Sequence, residues 1–207
     1  MVAIPNGSFF GAPPLGTIAG AAVIYPPHWA VLDSAVTDLT TTSTRLYYIP
    51  YYFSEVVSFT GLKSRNTGTG DNGDTYRCGV YQKSASTNLP STLVQDCGEI
   101  TLTGAAADRT LAVAFSPAYV GWHYLAFHAN QAATMHRMYS AIAISAAGIS
   151  SGIGLSGAFG TAAIGNSAAV QGFGAYYVDT AYAALASTAV APTAATPVAP
   201  TLCAYRT

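Results

Sequence analysis

The chain has 207 residues, enough for one domain and an additional segment, and a core of that size needs neither a disulfide nor a metal to hold it. Only 8% of the residues are charged while 51% are hydrophobic, so much of the surface lacks ordinary polar covering. A net charge of −1 and a pI near 6.4 leave no basic footprint for nucleic acid.

Residues 1–40 differ in composition from everything after them. Proline pairs at 13–14 and 26–27, several glycines and scattered large apolar residues (Phe9, Phe10, Ile24, Tyr25, Trp29) make an extended segment. Proline fixes φ and removes a donor, so this stretch builds no core of its own. It is too apolar for a disordered tail, and its aromatic residues are expected to dock on a partner as an arm. The first residues carry no Lys or Arg and are broken by Pro5, Pro13 and Pro14, so no secretory signal is expected and the chain is expected to fold in a cytoplasm.

Residues 41–207 read as a single all-β domain. Strands are expected at 46–53, where Pro50 argues for an edge position or a bulge, and at 55–65, where Val57, Phe59 and Gly61 alternate against Val56, Ser58, Thr60 and Leu62. A polar Gly/Asn/Asp loop follows at 66–74. Strands at 75–82 and 92–99 flank a Ser/Asn/Pro turn at 83–91, and strands at 111–115 and 122–130 flank a proline-containing connection at 116–121. After Arg137 the chain turns to Ala, Gly and Ser and recovers strand character at 174–178 and 201–207. Short strands rich in Val, Ile, Thr, Tyr and Phe, with turn signals every 8–12 residues or so, are the mark of an antiparallel sandwich or barrel.

Two stretches, 1–32 and 138–178, contain no Asp, Glu, Lys or Arg. Gly, Ser, Asn, Pro or Gln interrupt both, and neither holds the dense apolar run of about 20 residues that a spanning helix requires. No membrane partner is expected; burial between subunits explains the missing charge better. Cys78, Cys97 and Cys203 are odd in number and lack CxxC spacing, which reads as reduced core thiols, although Cys78 and Cys97 lie on neighbouring strand candidates and a bridge between them is possible.

Candidate chemistry is sparse. Gly148-Ile-Ser-Ser-Gly152 matches a nucleophile elbow at Ser150, but His28, His123, His128 and His136 all precede that serine, the reverse of the hydrolase order. Gly152-Ile-Gly-Leu-Ser-Gly157 matches a dinucleotide fingerprint, with Asp179 at a plausible distance, yet too few residues remain for the βα units it needs. Asp71-Asn-Gly-Asp74 offers oxygen ligands for Ca²⁺ but lacks the later Glu, and Asn72-Gly73 is an ordinary tight-turn pair. His123 and His128, five apart on one strand, point to opposite faces and do not pair on one metal. Glu55 and Glu99 are the only glutamates, and with the seven aspartates they suggest no glycosidase pair. No catalytic, cofactor or metal site is therefore expected. The tyrosines at 47, 48, 51, 52, 76, 81, 119, 124 and 139 suit sugar stacking, but the same residues fill sandwich cores and interfaces, and packing is the favoured reading.

Arg45-Leu-Tyr-Tyr-Ile-Pro-Tyr-Tyr-Phe53, Cys78-Gly-Val-Tyr81, Leu89-Pro-Ser-Thr-Leu-Val-Gln-Asp-Cys-Gly98 and Gly121-Trp-His-Tyr-Leu-Ala-Phe127, in that order, resemble tailed-bacteriophage virion proteins with a carbohydrate-binding-module-like jelly roll. In that group an Arg-Leu-Tyr-x-x-Pro-Phe strand precedes Leu-Gly-Ile-Tyr, a Pro-Gly-x-Leu-x-x-Asp-x-Gly hairpin and Gly-x-Tyr-Trp-Leu-Ala. The closing Pro200-Thr-Leu-Cys-Ala-Tyr-Arg206 resembles its final strand, so the resemblance spans about residues 44–206. Cys78 stands where Leu is usual and His123 where Tyr is usual; the pattern contains no catalytic position for either to disturb.

The resemblance implies an antiparallel two-sheet jelly-roll β-sandwich behind an extended N-terminal arm, and a non-enzymatic protein of the virion, assembled in the host cytoplasm. It implies foremost a capsid decoration or cement protein whose arm docks on the major capsid protein or another virion protein. The alternative is a tail- or head-fibre adsorption module that binds host-surface glycan, with Tyr119 and Tyr139 as candidate contacts. Such proteins are commonly trimeric, so a homotrimer is expected, with the charge-free 138–178 stretch at its interface.

Overall fold

Apolar and aromatic side chains recur at every second position between turns, and the result is strand and turn throughout. The computed structural model describes residues 23–25, 30–32, 38–68, 73–102, 104–132, 134–140, 175–196, 198–200 and 202–206, and among them there is no helix. In chain order these residues form β1 (Val23–Tyr25), β2 (Ala30–Leu32), β3 (Asp38–Thr40), β4 (Arg45–Phe53), β5 (Gly61–Asn66), β6 (Thr75–Lys83) and β7 (Pro90–Thr101). There follow β8 (Ala107–Leu111), β9 (Gly121–Ala129), β10 (Thr134–Ser140), β11 (Ala175–Asp179), β12 (Ala194–Thr196), β13 (Val198–Pro200) and β14 (Cys203–Arg206).

They make two antiparallel sheets. One runs β12-β11-β4-β9-β6-β7; the other runs β1-β14-β5-β10-β13, with β2 and β3 also on β10 and β8 on β5. β9 is central to the first, paired with β4 from Leu46↔His128 to Phe53↔Gly121 and with β6 on its other side. Odd-numbered residues of β4 and β9 face inward: Tyr47, Ile49, Tyr51, Phe53, Leu125 and Phe127 join Leu62 and Ala204 of the other sheet, and Leu202 just before β14, in one buried cluster. Its rings interlock. Phe59 and Phe115 stack at 5.4 Å, Phe53 meets Phe59 edge-on at 5.0 Å, and Tyr76 stacks on Phe127 at 4.5 Å. Each such pair adds about 0.5–1.5 kcal/mol beyond the area it buries.

Strands 46–53, 75–82, 92–99 and 122–130 fall where the periodicity predicts them, with β7 extended to twelve residues. Pro50 lies in a strand that has neighbours on both sides, but the ladder with β11 stops at Tyr48, so from Pro50 onward only β9 flanks β4 among the described residues. The expected strand 55–65 begins in fact at Gly61. Val56 is exposed and Phe59 buried, on opposite faces as the alternation has them, but Leu62, which the alternation sets on the face of Val56, is fully buried. The phase slips at Gly61, where a Cβ would sit 1.9 Å from the Leu111 carbonyl oxygen. Only a residue without that atom admits the approach.

The strand expected at 111–115 lies earlier, at 107–111, and Phe115 keeps a lone bridge to Phe59. Its sequence, Ala-Asp-Arg-Thr-Leu, hides a strand behind charge. Arg65 pairs with Asp108 across β5 and β8 at 2.7 Å, and Arg109 donates to Asn66 at 2.6 Å, a charged edge of the kind that discourages further pairing. β10 likewise falls where no strand was expected. The segment read as an arm supplies β1, paired with β14, and β2 and β3, paired with β10, so residues 23–40 add short strands to the second sheet. Ile24 and Tyr25 lie in β1; Phe9, Phe10 and Trp29 fall outside the described residues, as does 141–174, most of the stretch expected at a subunit interface.

Candidate functional site

The sheet β12-β11-β4-β9-β6-β7 is buried on its outer face as well. Leu46, Tyr48, Tyr81, Tyr124, Ala126 and Val178 form a second buried cluster there. What covers them is the connection from β11 to β12, residues 180–193, which folds across the strands as a strap.

Its anchor is Leu185, 8% exposed, which seats on β6 where Gly79 leaves room. A Cβ at Gly79 would stand 2.3 Å from Leu185 Cδ1 and 2.7 Å from the Gln95 carbonyl oxygen. Polar contacts fix the rest. The Tyr81 hydroxyl donates to the Ala186 carbonyl at 2.8 Å, and the Tyr182 hydroxyl lies 3.3 Å from Thr75 Oγ1. Along the β7 edge the Leu93 amide donates to the Ser187 carbonyl and the Ala189 amide to the Ser91 carbonyl. Tyr124 donates to the Asn88 carbonyl. Burial pushes the Tyr81 and Tyr124 hydroxyls far above the ordinary phenol range and Tyr48 up to about 12.

His123 and His128 occupy opposite faces, as their spacing predicts. His123 points inward between Tyr119 (4.3 Å) and Phe53 (5.2 Å). Its Nε2 accepts the Ala118 amide at 3.3 Å, which leaves Nδ1–H to donate to the Gly121 carbonyl at 3.1 Å. His128 points outward beneath the Tyr182 ring, 5.1 Å away, and is bonded to the Thr180 backbone, while its Nε2 has no partner. Burial holds both imidazoles below their ordinary pKa.

Of the two candidate glycan contacts, Tyr119 is half-buried at the loop end of β9. Its hydroxyl accepts the Lys83 amide at 3.2 Å and donates to the Trp122 carbonyl at 2.9 Å, and its ring lies against His123, so its polar tip is engaged inside the protein. Tyr139 lies in β10 of the other sheet, opposite Val198 on one side and Val31 on the other, whereas Tyr119 stands in the loop that leads into β9. Tyr47, Tyr48, Tyr51, Tyr76, Tyr81 and Tyr124 are all buried. The aromatic pair that does reach the surface is half-buried Tyr52 and Trp122, register partners in edge-to-face contact at 5.6 Å. Periodicity marks Trp122 only as a strand residue; its place beside the 116–121 loop is the signal that it reaches the surface.

Five of the acids are engaged by arginines: Asp179 by Arg45, Asp108 by Arg65, Asp96 and Glu99 by Arg77, Glu55 by Arg206. Glu55 and Glu99 thus face guanidinium groups. Asp71, Ser150 and the 152–157 glycines lie outside the described residues, and among the described residues no three metal-ligating side chains come together. Cys78, Cys97 and Cys203 are free thiols in the interior, where burial pushes Cys78 well up and Cys97 and Cys203 up to about 12. Comparison with protein families, with curated proteins and with solved structures returns no match.

Proposed function

We propose that this chain is a non-enzymatic structural protein of a bacteriophage virion, a capsid decoration or cement protein built on a jelly roll. The pairing of its few charges carries the reading. Each described ion pair is closed within the chain, and among the described residues the large apolar side chains left exposed are Val56, Val120 and Val190, far apart in sequence. Such a surface has little long-range field and attaches by many weak contacts, which repetition around a symmetric shell makes strong. The chain also passes repeatedly between the sheets, from β4 to β5 to β6 and from β7 to β8 to β9 to β10, as the winding of a jelly roll requires. Residues 1–40 dock on the major capsid protein or another shell component in this reading, with β1 to β3 of that segment added to the second sheet of the chain itself.

Copy number tests this. Labelled protein imaged on the particle is expected at hundreds of sites distributed over the head. A handful of copies at a tail tip or vertex would overturn it in favour of an adsorption module that binds host-surface glycan. The half-exposed Tyr52–Trp122 pair favours that second reading, since aromatic faces stack on sugars, and glycan-array binding lost in Trp122→Ala would establish it.

A further inference from the structure

We propose that His128 is an acid-operated latch: protonation of its ring releases the 180–193 strap and uncovers the outer face of the sheet. This stands apart from the virion assignment, because it rests on the strap alone. The ring is 1% exposed, and it sits where the strap begins, bonded to the Thr180 backbone and covered by Tyr182. Thr180 is itself tied down, its amide donating to the Thr44 carbonyl. Because Nε2 has no partner, a proton added there creates an N–H⁺ with nothing to receive it, in a site closed to water. The neutral ring fits; the charged ring must reach solvent, and the strap is what stands in the way.

Among the described residues no neighbour offers compensation. On β4 the register partner is Leu46. On β6 it is Arg77, a cation, whose guanidinium is already held by Asp96 and Glu99 of β7. Asp179, at the end of β11, is taken by Arg45. From the strap comes Tyr182, whose hydroxyl lies against Thr75 and near Glu99 and is pushed up to about 12 by burial, so it stays neutral. The strap itself is lightly held, with Leu185 as its one buried large side chain and most of its other residues exposed. Its release would bare Tyr48, Tyr81 and Tyr124 and open the β7 edge at residues 91–93, where the Thr188 bridge now sits.

Hydrogen exchange read by mass spectrometry on the intact chain, corrected for intrinsic rates, tests the latch at about pH 7.5 and about pH 5, on either side of the histidine range. Protection of the Ala189 amide, and of the Leu93 amide that donates to Ser187, is expected to fall about tenfold or more at the lower pH while β9 and the β6–β9 ladder stay protected. In His128→Asn, which keeps a donor for Thr180 but has no titrating ring, the strap is expected to show no such change; in His123→Asn it should respond as the natural chain does. Strap protection that does not change with pH, that falls together with the whole sheet, or that falls equally in His128→Asn overturns the proposal. Should His128→Asn not fold, NMR of the natural chain decides: the His128 ring and the strap amides must titrate with one midpoint, and a ring that titrates without them overturns it.

Discussion

Gly79 and Leu185 show how much one missing carbon can arrange. Gly79 has ordinary strand geometry, and what its site requires is space, because Leu185 and the Gln95 carbonyl fill the volume a methyl would take. Gly79→Ala is expected to cost about 1–3 kcal/mol by overpacking, and to lift Leu185 off the sheet. Urea unfolding measures the first; loss of protection in the strap reports the second. A neutral effect would mean that Leu185 is not seated there. The two histidines set the pH dependence. Both are held by burial below the unfolded value of about 6.5, so their contribution to stability is fully present above that pH and declines as pH falls through it toward the folded values. The urea midpoint is expected to drop below about pH 6.5, and to drop less in His123→Phe, which keeps the ring between Tyr119 and Phe53 without its charge.

At the scale of elements, β1, β2 and β3 attach by three register pairs each, whereas β4 and β9 share eight and enclose the core. Deletion of residues 1–38 is therefore expected to leave the sandwich folded by circular dichroism and thermal unfolding, while under the proposed docking role the truncated protein no longer sediments with a virion. Truncated protein that still cosediments would refute the docking role. Substitution of Phe9, Phe10 and Trp29 by Ala is the milder form and should weaken attachment by several kcal/mol in total, on the order of what large buried aromatics contribute at interfaces.

For the molecule as a whole, the scarcity of charge on 207 residues leaves the question of what else is covered. We expect a homotrimer with the 138–178 stretch at the subunit contact, where loss of charge is the compositional signal of an interface core. Sedimentation at micromolar concentration should find no stable monomer; a monomer would exclude an obligate trimer. Ala158→Glu and Ala163→Glu, both outside the described residues, sharpen the test, since a buried unpaired carboxylate dissociates an assembly and an exposed one does not.

Local periodicity belongs to neighbouring residues, so the sequence by itself determined what depends on neighbours: the all-β character of the described residues, the strands expected at 46–53, 75–82 and 122–130, and the opposed faces of His123 and His128. It determined too that aromatic residues would fill the interior, because little else in so uncharged a chain could. Tertiary structure decided whatever depends on a distant segment. β8 and β10 are strands because β5 and the short strands of residues 23–40 lie beside them, although their own composition is charged or mixed. Leu62 turned inward because Gly61 admits the Leu111 carbonyl. The strap is the clearest case. Ala, Ser and Thr interrupted by Tyr182, Leu185, Val190 and Pro192 show no period, and only the folded chain brings residues 180–193 over a face that alternation alone would have left in water.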